Sequence, residues 1–183
     1  MIFTEITPNP ASLKFSVGRR LLAHGTADFP TVADTEDAPL AQKLFDFRFV
    51  ERVFIGADFV TITKHSDFQW EEIIPVVKDF LRAFFNSEQP ALTGKYAEAQ
   101  PENLDEEGDE LVRRIKELLE SHVRPAIALD GGDIIYEDFQ DGVLRLRMQG
   151  SCSGCPSSTL TLKAGIEGLM TRMIPEVKVV EAV

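Results

Sequence analysis

From Gly94 to Glu107 the chain reads Gly-Lys-Tyr-Ala-Glu-Ala-Gln-Pro-Glu-Asn-Leu-Asp-Glu-Glu, with five acids, one lysine and little to bury. Such a stretch cannot join a packed core and reads as a solvated acidic linker. It divides the 183 residues into two parts, each of which must bury its own apolar surface. The expected division is a first domain over residues 1–93, the linker over 94–107, and a second domain over 108–183.

In the first part, strands are expected at Ile2 to Thr7, Leu13 to Val17 and Gly25 to Phe29, with Pro8-Asn9-Pro10 as a turn. Asp37-Ala38-Pro39 offers a helix start. Gly56-Ala57-Asp58 between Val53-Phe54-Ile55 and Phe59 to Thr63 reads as a hairpin. Ser66-Asp67 is expected to cap a helix carrying Ile73, Ile74, Val77, Phe80, Leu81 and Phe84 at helical spacing. Trp70 reads as core. The fold class is α+β.

In the second part, Leu111, Ile115, Leu118, Leu119 and Val123 mark a helix face that Arg124-Pro125 is expected to close. Asp130-Gly131-Gly132-Asp133 reads as a tight turn whose acids cap or solvate it, rather than as a carboxylate pair for catalysis. A hairpin around Asp141-Gly142 follows, then a helix opened by Pro156 and a strand over Val177 to Val180. The order is α-β-β-α-β. Arg145 and Arg147 fall on a solvated strand face. Ser157, Ser158 and Thr159 read as helix-start residues. His24, His65 and His122 are scattered and are not expected to be ligands. His122 is placed in the last turn of the first helix of this part.

Between hairpin and helix lies Gly150-Ser151-Cys152-Ser153-Gly154-Cys155-Pro156, which holds both cysteines of the chain. Two thiolates separated by two small residues can meet one soft metal, yet they fill only half of a tetrahedral sulfur site. An iron–sulfur cluster takes four cysteines, so an all-thiolate site needs a second copy of the chain. The helix start is expected to lower the thiol pKa values and to favour bound anions. The spacing alone leaves open a cluster or metal half-site, a dithiol redox pair or incidental cysteines, and two rivals stand beside the cluster. One is a thiol–disulfide oxidoreductase with Cys152 as nucleophile, disfavoured because a hairpin precedes the loop; the other is a zinc-bridged dimer.

A net charge of −11 makes nucleic-acid binding an improbable main activity, and basic partner surfaces fit better. No apolar run is long enough to span a bilayer, and the first residues do not read as a signal or transit peptide. The expected location is cytoplasmic, with a mature mitochondrial form left open.

Arg124-Pro125, Asp130-Gly131-Gly132-Asp133 and the run Leu146 to Lys163 together resemble the NifU-like C-terminal domain. Thr7-Pro8-Asn9-Pro10, Leu13-Lys14-Phe15 and Val53 to Lys64 resemble the Nfu N-terminal domain. The resemblance implies an iron–sulfur cluster assembly scaffold or carrier and not an enzyme. It implies a [4Fe-4S] cluster, or alternatively [2Fe-2S], held by Cys152 and Cys155 of two chains. It further implies a homodimer through the cluster, with apo iron–sulfur clients and the cluster-assembly machinery as partners. For the N-terminal domain it suggests partner contact.

Overall fold

A computed structural model describes residues 1–96, 109–153 and 156–183. The expected linker falls largely outside them. Gly94–Tyr96 form a short 3-10 turn at its edge, where Thr93 N–H donates to Asp37 O at 2.8 Å and the Tyr96 ring meets Phe29 edge-on.

The N-terminal domain is one antiparallel sheet with helices on one face. Its strands are β1 (Phe3–Ile6), β2 (Ser12–Ser16), β3 (Ala27–Phe29), β4 (Val50–Ile55) and β5 (Phe59–Lys64), ordered β1-β2-β5-β4-β3. Helix α1 (Pro39–Leu44) follows β3, and α2 (Trp70–Asn86) follows β5. Alternation along each strand sorts the side chains. Leu13, Phe15, Val53, Ile55, Val60 and Ile62 pack against Leu40, Leu44, Ile73, Val77, Leu81 and Phe84 in the core. Trp70 lies half-buried against this core and donates from Nε1 to Pro10 O at 3.0 Å. Helix α2 starts at Trp70 after Gln69, so Ser66-Asp67 do not cap it. The Ser66 hydroxyl instead donates to Asp67, and the pair belongs to the turn after β5.

The opposite face of this sheet is buried as well. The pairings Glu5↔Lys14, Lys14↔Thr61, Phe54↔Thr61 and Asp28↔Phe54 form one row across all five strands. Lys14 is 6% exposed, Thr61 1% and Phe54 0%, although none of them belongs to the core under the helices. The C-terminal domain covers them. Lys14 Nζ donates to Leu129 O at 3.3 Å, and Thr61 Oγ1 donates to Gly131 O at 2.8 Å. Phe54 lies so close to Gly150 that a Cβ there would sit 2.9 Å from the ring. A buried Phe of this kind contributes about 1.5–3 kcal/mol.

The C-terminal domain begins with α3 (Glu110–Leu118), widens into a π turn over Leu119–Val123, and resumes as α4 (Arg124–Leu129). Arg124-Pro125 therefore does not end the helix. Pro125 falls in the first turn of the resumed segment, where a missing N–H is tolerated. His122 accordingly lies in the π turn and not in a last turn; it is exposed and hydrogen-bonds Ser121. The helix ends at Asp130-Gly131, with Gly131 at φ +77° and its N–H donating to Ala128 O at 3.1 Å, a left-handed C-terminal cap.

Strand β6 (Gly132–Gln140) pairs antiparallel with β7 (Val143–Gly150) through the Asp141-Gly142 turn. Helix α5 (Pro156–Met173) then crosses over to β8 (Val179–Ala182), which runs parallel to β7. Leu144, Leu146 and Met148 pack under Ile115, Ile127, Ile166 and Met170. On the other face, Arg145 pairs with Asp138 and Glu181, and Arg147 with Glu137. The two domains are α+β, and the second follows the order α-β-β-α-β.

Candidate functional site

The cysteine loop leaves the end of β7 with its backbone already turned. Gly150 has φ +65°, a conformation other residues adopt at a cost, and a Cβ there would lie 2.7 Å from Gly131 O. Ser151 N–H donates to that same carbonyl at 3.2 Å, while the Ser151 hydroxyl donates to Asp130 O. Ser153 closes the turn, its N–H and its hydroxyl both donating to Gly150 O, at 3.2 and 2.8 Å. Thr159 Oγ1 donates to Cys152 O at 3.2 Å, tying the loop to the first turns of α5.

This bonding seats Cys152 inward. It is 5% exposed and belongs to the C-terminal core. A Cβ on Gly132 would lie 2.6 Å from Sγ, so the glycine forms the floor under the thiol. Cys155 lies outside the described residues. Among the described residues no three His, Cys, Asp or Glu side chains gather at a metal-holding spacing.

The thiol chemistry differs from the expectation of a lowered pKa. Burial pushes Cys152 up to about 11, against a downward pull from the Ser151 hydroxyl, and Asp130 and Asp133 add to the rise. Desolvation of the thiolate is the largest cause, because Cys152 packs in the C-terminal core.

Asp133 does not solvate the turn. It is 2% exposed and receives Arg124 Nε and Nη2 at 2.8 and 2.6 Å, with Thr26 Oγ1 of the N-terminal domain at 2.7 Å. Burial alone would lower the Arg124 pKa; the Asp133 hydrogen bond and charge, with Glu120, outweigh it and raise it. A buried acid fully engaged this way is a structural tie.

The loop also stands in a β–α–β crossover, since β7 and β8 are parallel. A preceding hairpin therefore does not distinguish it from a redox setting. The thiol itself is buried, with a raised pKa, and lies four residues ahead of the helix start. Sequence reasoning missed Gly132 as the floor of the thiol, and it missed Phe54 and Thr61, which reach Gly150 and the Gly131 carbonyl. Nothing local marks these residues, because their roles depend on a domain far along the chain.

A family model described as "Scaffold protein Nfu/NifU N terminal" matches residues 2–88, and one described as "NifU-like domain" matches residues 115–181. The Homo sapiens protein "NFU1 iron-sulfur cluster scaffold homolog, mitochondrial" is 44% identical over 183 residues, covering 100% of this chain and 71% of that one. The chain belongs to the Nfu/NifU-like family. Another relative, "NifU-like protein 4, mitochondrial" of Arabidopsis thaliana, is 45% identical over 98% of this Nfu chain and 65% of its own length. This Nfu chain thus spans about two thirds of the length of the curated relatives it matches. A NifU-like protein of Saccharomyces cerevisiae, solved by NMR, aligns with 52% of the chain and 85% of its own, at 26% identity and TM-score 0.45. No helix among the described residues is long and apolar enough to cross a membrane.

Proposed function

We propose that this chain is an iron–sulfur cluster scaffold and carrier that holds a [4Fe-4S] cargo between two copies through Cys152 and Cys155 of each. The carrying observation is the half-set: one CxxC per chain, set in the loop of a NifU-like domain, supplies two of the four thiolates a cluster needs. A [2Fe-2S] cargo would keep the role with a different cluster. The domain reading that goes with it is residues 1–93 as the Nfu N-terminal domain, 94–107 as an acidic linker and 108–183 as the NifU-like domain.

Release follows by ligand exchange and not by catalytic turnover. A client cysteine gives up its proton and binds an iron as Cys152 or Cys155 leaves that iron and takes up a proton. Bonds and charge balance, and no oxidant or reductant is needed. Glycine backbone at positions 131, 132 and 150 lets the loop pack closely around Cys152. The partners are apo iron–sulfur clients and cluster-assembly proteins. The names of the relatives favour a mitochondrial site of action over the cytoplasm.

The raised Cys152 pKa weighs equally on a nucleophile and on a metal ligand, since both act as thiolates, so activity separates the scaffold from a thiol–disulfide oxidoreductase. The test is transfer. Protein loaded anaerobically should activate an apo [4Fe-4S] enzyme faster than equal free iron and sulfide. Equal rates, together with reduction of insulin disulfides by the metal-free protein, would reverse the assignment.

A further inference from the structure

The row Lys14, Thr61 and Phe54 grips the backbone that seats the cysteine. Thr61 Oγ1 and Ser151 N both donate to Gly131 O, so an N-terminal strand and the cysteine loop share one acceptor atom. Phe54 presses on Gly150, two residues before Cys152, and Thr26 reaches Asp133 at the start of β6. Lys14 adds its bond to Leu129 O at the end of α4. These contacts fall on Leu129, Gly131, Asp133 and Gly150, in the segments that flank Gly132 and the cysteine loop. In this arrangement the thiol faces the core and cannot meet a ligand shared with another chain. Turning it outward requires residues 150–153 to lift from Gly131 and Gly132, and the N-terminal sheet holds both ends of that movement.

We infer that the N-terminal domain is a latch on the cysteine loop. Docked, it keeps Cys152 turned inward. Undocked, it frees the loop to present the thiol, and the row Lys14–Thr61–Phe54 becomes an open face. The latch stands on the contacts above; only the identity of what the freed thiol binds rests on the scaffold reading. Opening is a local event that costs several interdomain contacts and takes Cys152 out of the C-terminal core, with the helices and sheets of both domains in place.

The test is alkylation of Cys152 by iodoacetamide in the metal-free full-length protein under native conditions, located by peptide mass spectrometry. Thr61→Glu places a carboxylate against the Gly131 carbonyl and should raise the rate about tenfold, as when a gating equilibrium shifts by one decade. Thr61→Ser keeps the hydroxyl and should react like wild type. If Thr61→Glu fails to fold, Thr26→Ala carries the test, with an expected rise of about threefold from the loss of one hydrogen bond. A folded Thr61→Glu reacting at the wild-type rate would overturn the latch. So would the lack of a nuclear Overhauser contact between the Phe54 ring and Gly150 in the wild type. Faster alkylation in a protein that takes up no iron or sulfide would uphold the latch and remove the scaffold reading.

Discussion

Arg124 and Asp133 face each other as a two-point pair, Nε to Oδ1 at 2.8 Å and Nη2 to Oδ2 at 2.6 Å. The pair ties the resumed helix α4 to the first residues of β6, on either side of the turn that floors the cysteine. Asp133 also receives Ile134 N–H and Thr26 Oγ1, so its carboxylate is shared between both domains.

Its side chain is 4% exposed, and removing the cation would leave that charge buried. Arg124→Met is therefore expected to destabilise the protein by about 3–5 kcal/mol, against much less for a double Arg124→Met/Asp133→Leu change. Chemical denaturation measures both. A loss below about 1 kcal/mol in the single variant would mean that solvent screens the pair.

Two glycines of similar backbone angle separate strain from packing. Gly25 has φ +68° with nothing within 4 Å of a Cβ, while Gly150 has φ +65° and would meet Gly131 O, Gly132 Cα and Phe54. Gly25→Ala should cost only the left-handed backbone term, about 1–2 kcal/mol. Gly150→Ala should cost at least about 2 kcal/mol more, since backbone atoms cannot yield as a side chain can. Equal thermal shifts would show that the Gly150 contact is not tight.

The raised Cys152 pKa predicts a pH dependence of stability. In the unfolded chain the thiol ionises near 9, and in the fold near 11. Over that window the unfolded state loses its proton first, so stability falls as pH rises and is intact below about 9. The two units bound the effect at about 2.7 kcal/mol. Urea denaturation from about pH 7.5 to about 10.5 should show a steeper decline in wild type than in Cys152→Ser. Parallel curves would place the thiol in contact with water.

The strands, the Gly56-Ala57-Asp58 hairpin, the α-β-β-α-β order and Pro156 as a helix start were readable from periodicity and turn chemistry alone. Those signals are local. The π turn was not readable, because Leu119 to Val123 keep an apolar spacing close to that of an ordinary helix, and Pro125 looks like a stop until the widened turn lets the helix resume. The inward thiol was hidden for a different reason. Small residues around Cys152 suggest an open loop, but the burial comes from Gly132, contributed by another strand. Thr61 reads as an ordinary strand residue between Val60 and Ile62. Its hydroxyl has a role only because Gly131, 70 residues away, supplies the acceptor.

The shared site is the central claim, and stoichiometry tests it most directly. After anaerobic reconstitution with iron and sulfide, size-exclusion chromatography should yield a brown dimer with about four iron and four sulfide per two chains, and Cys152→Ala should lose it. A colourless monomer with both thiols intact would contradict the account.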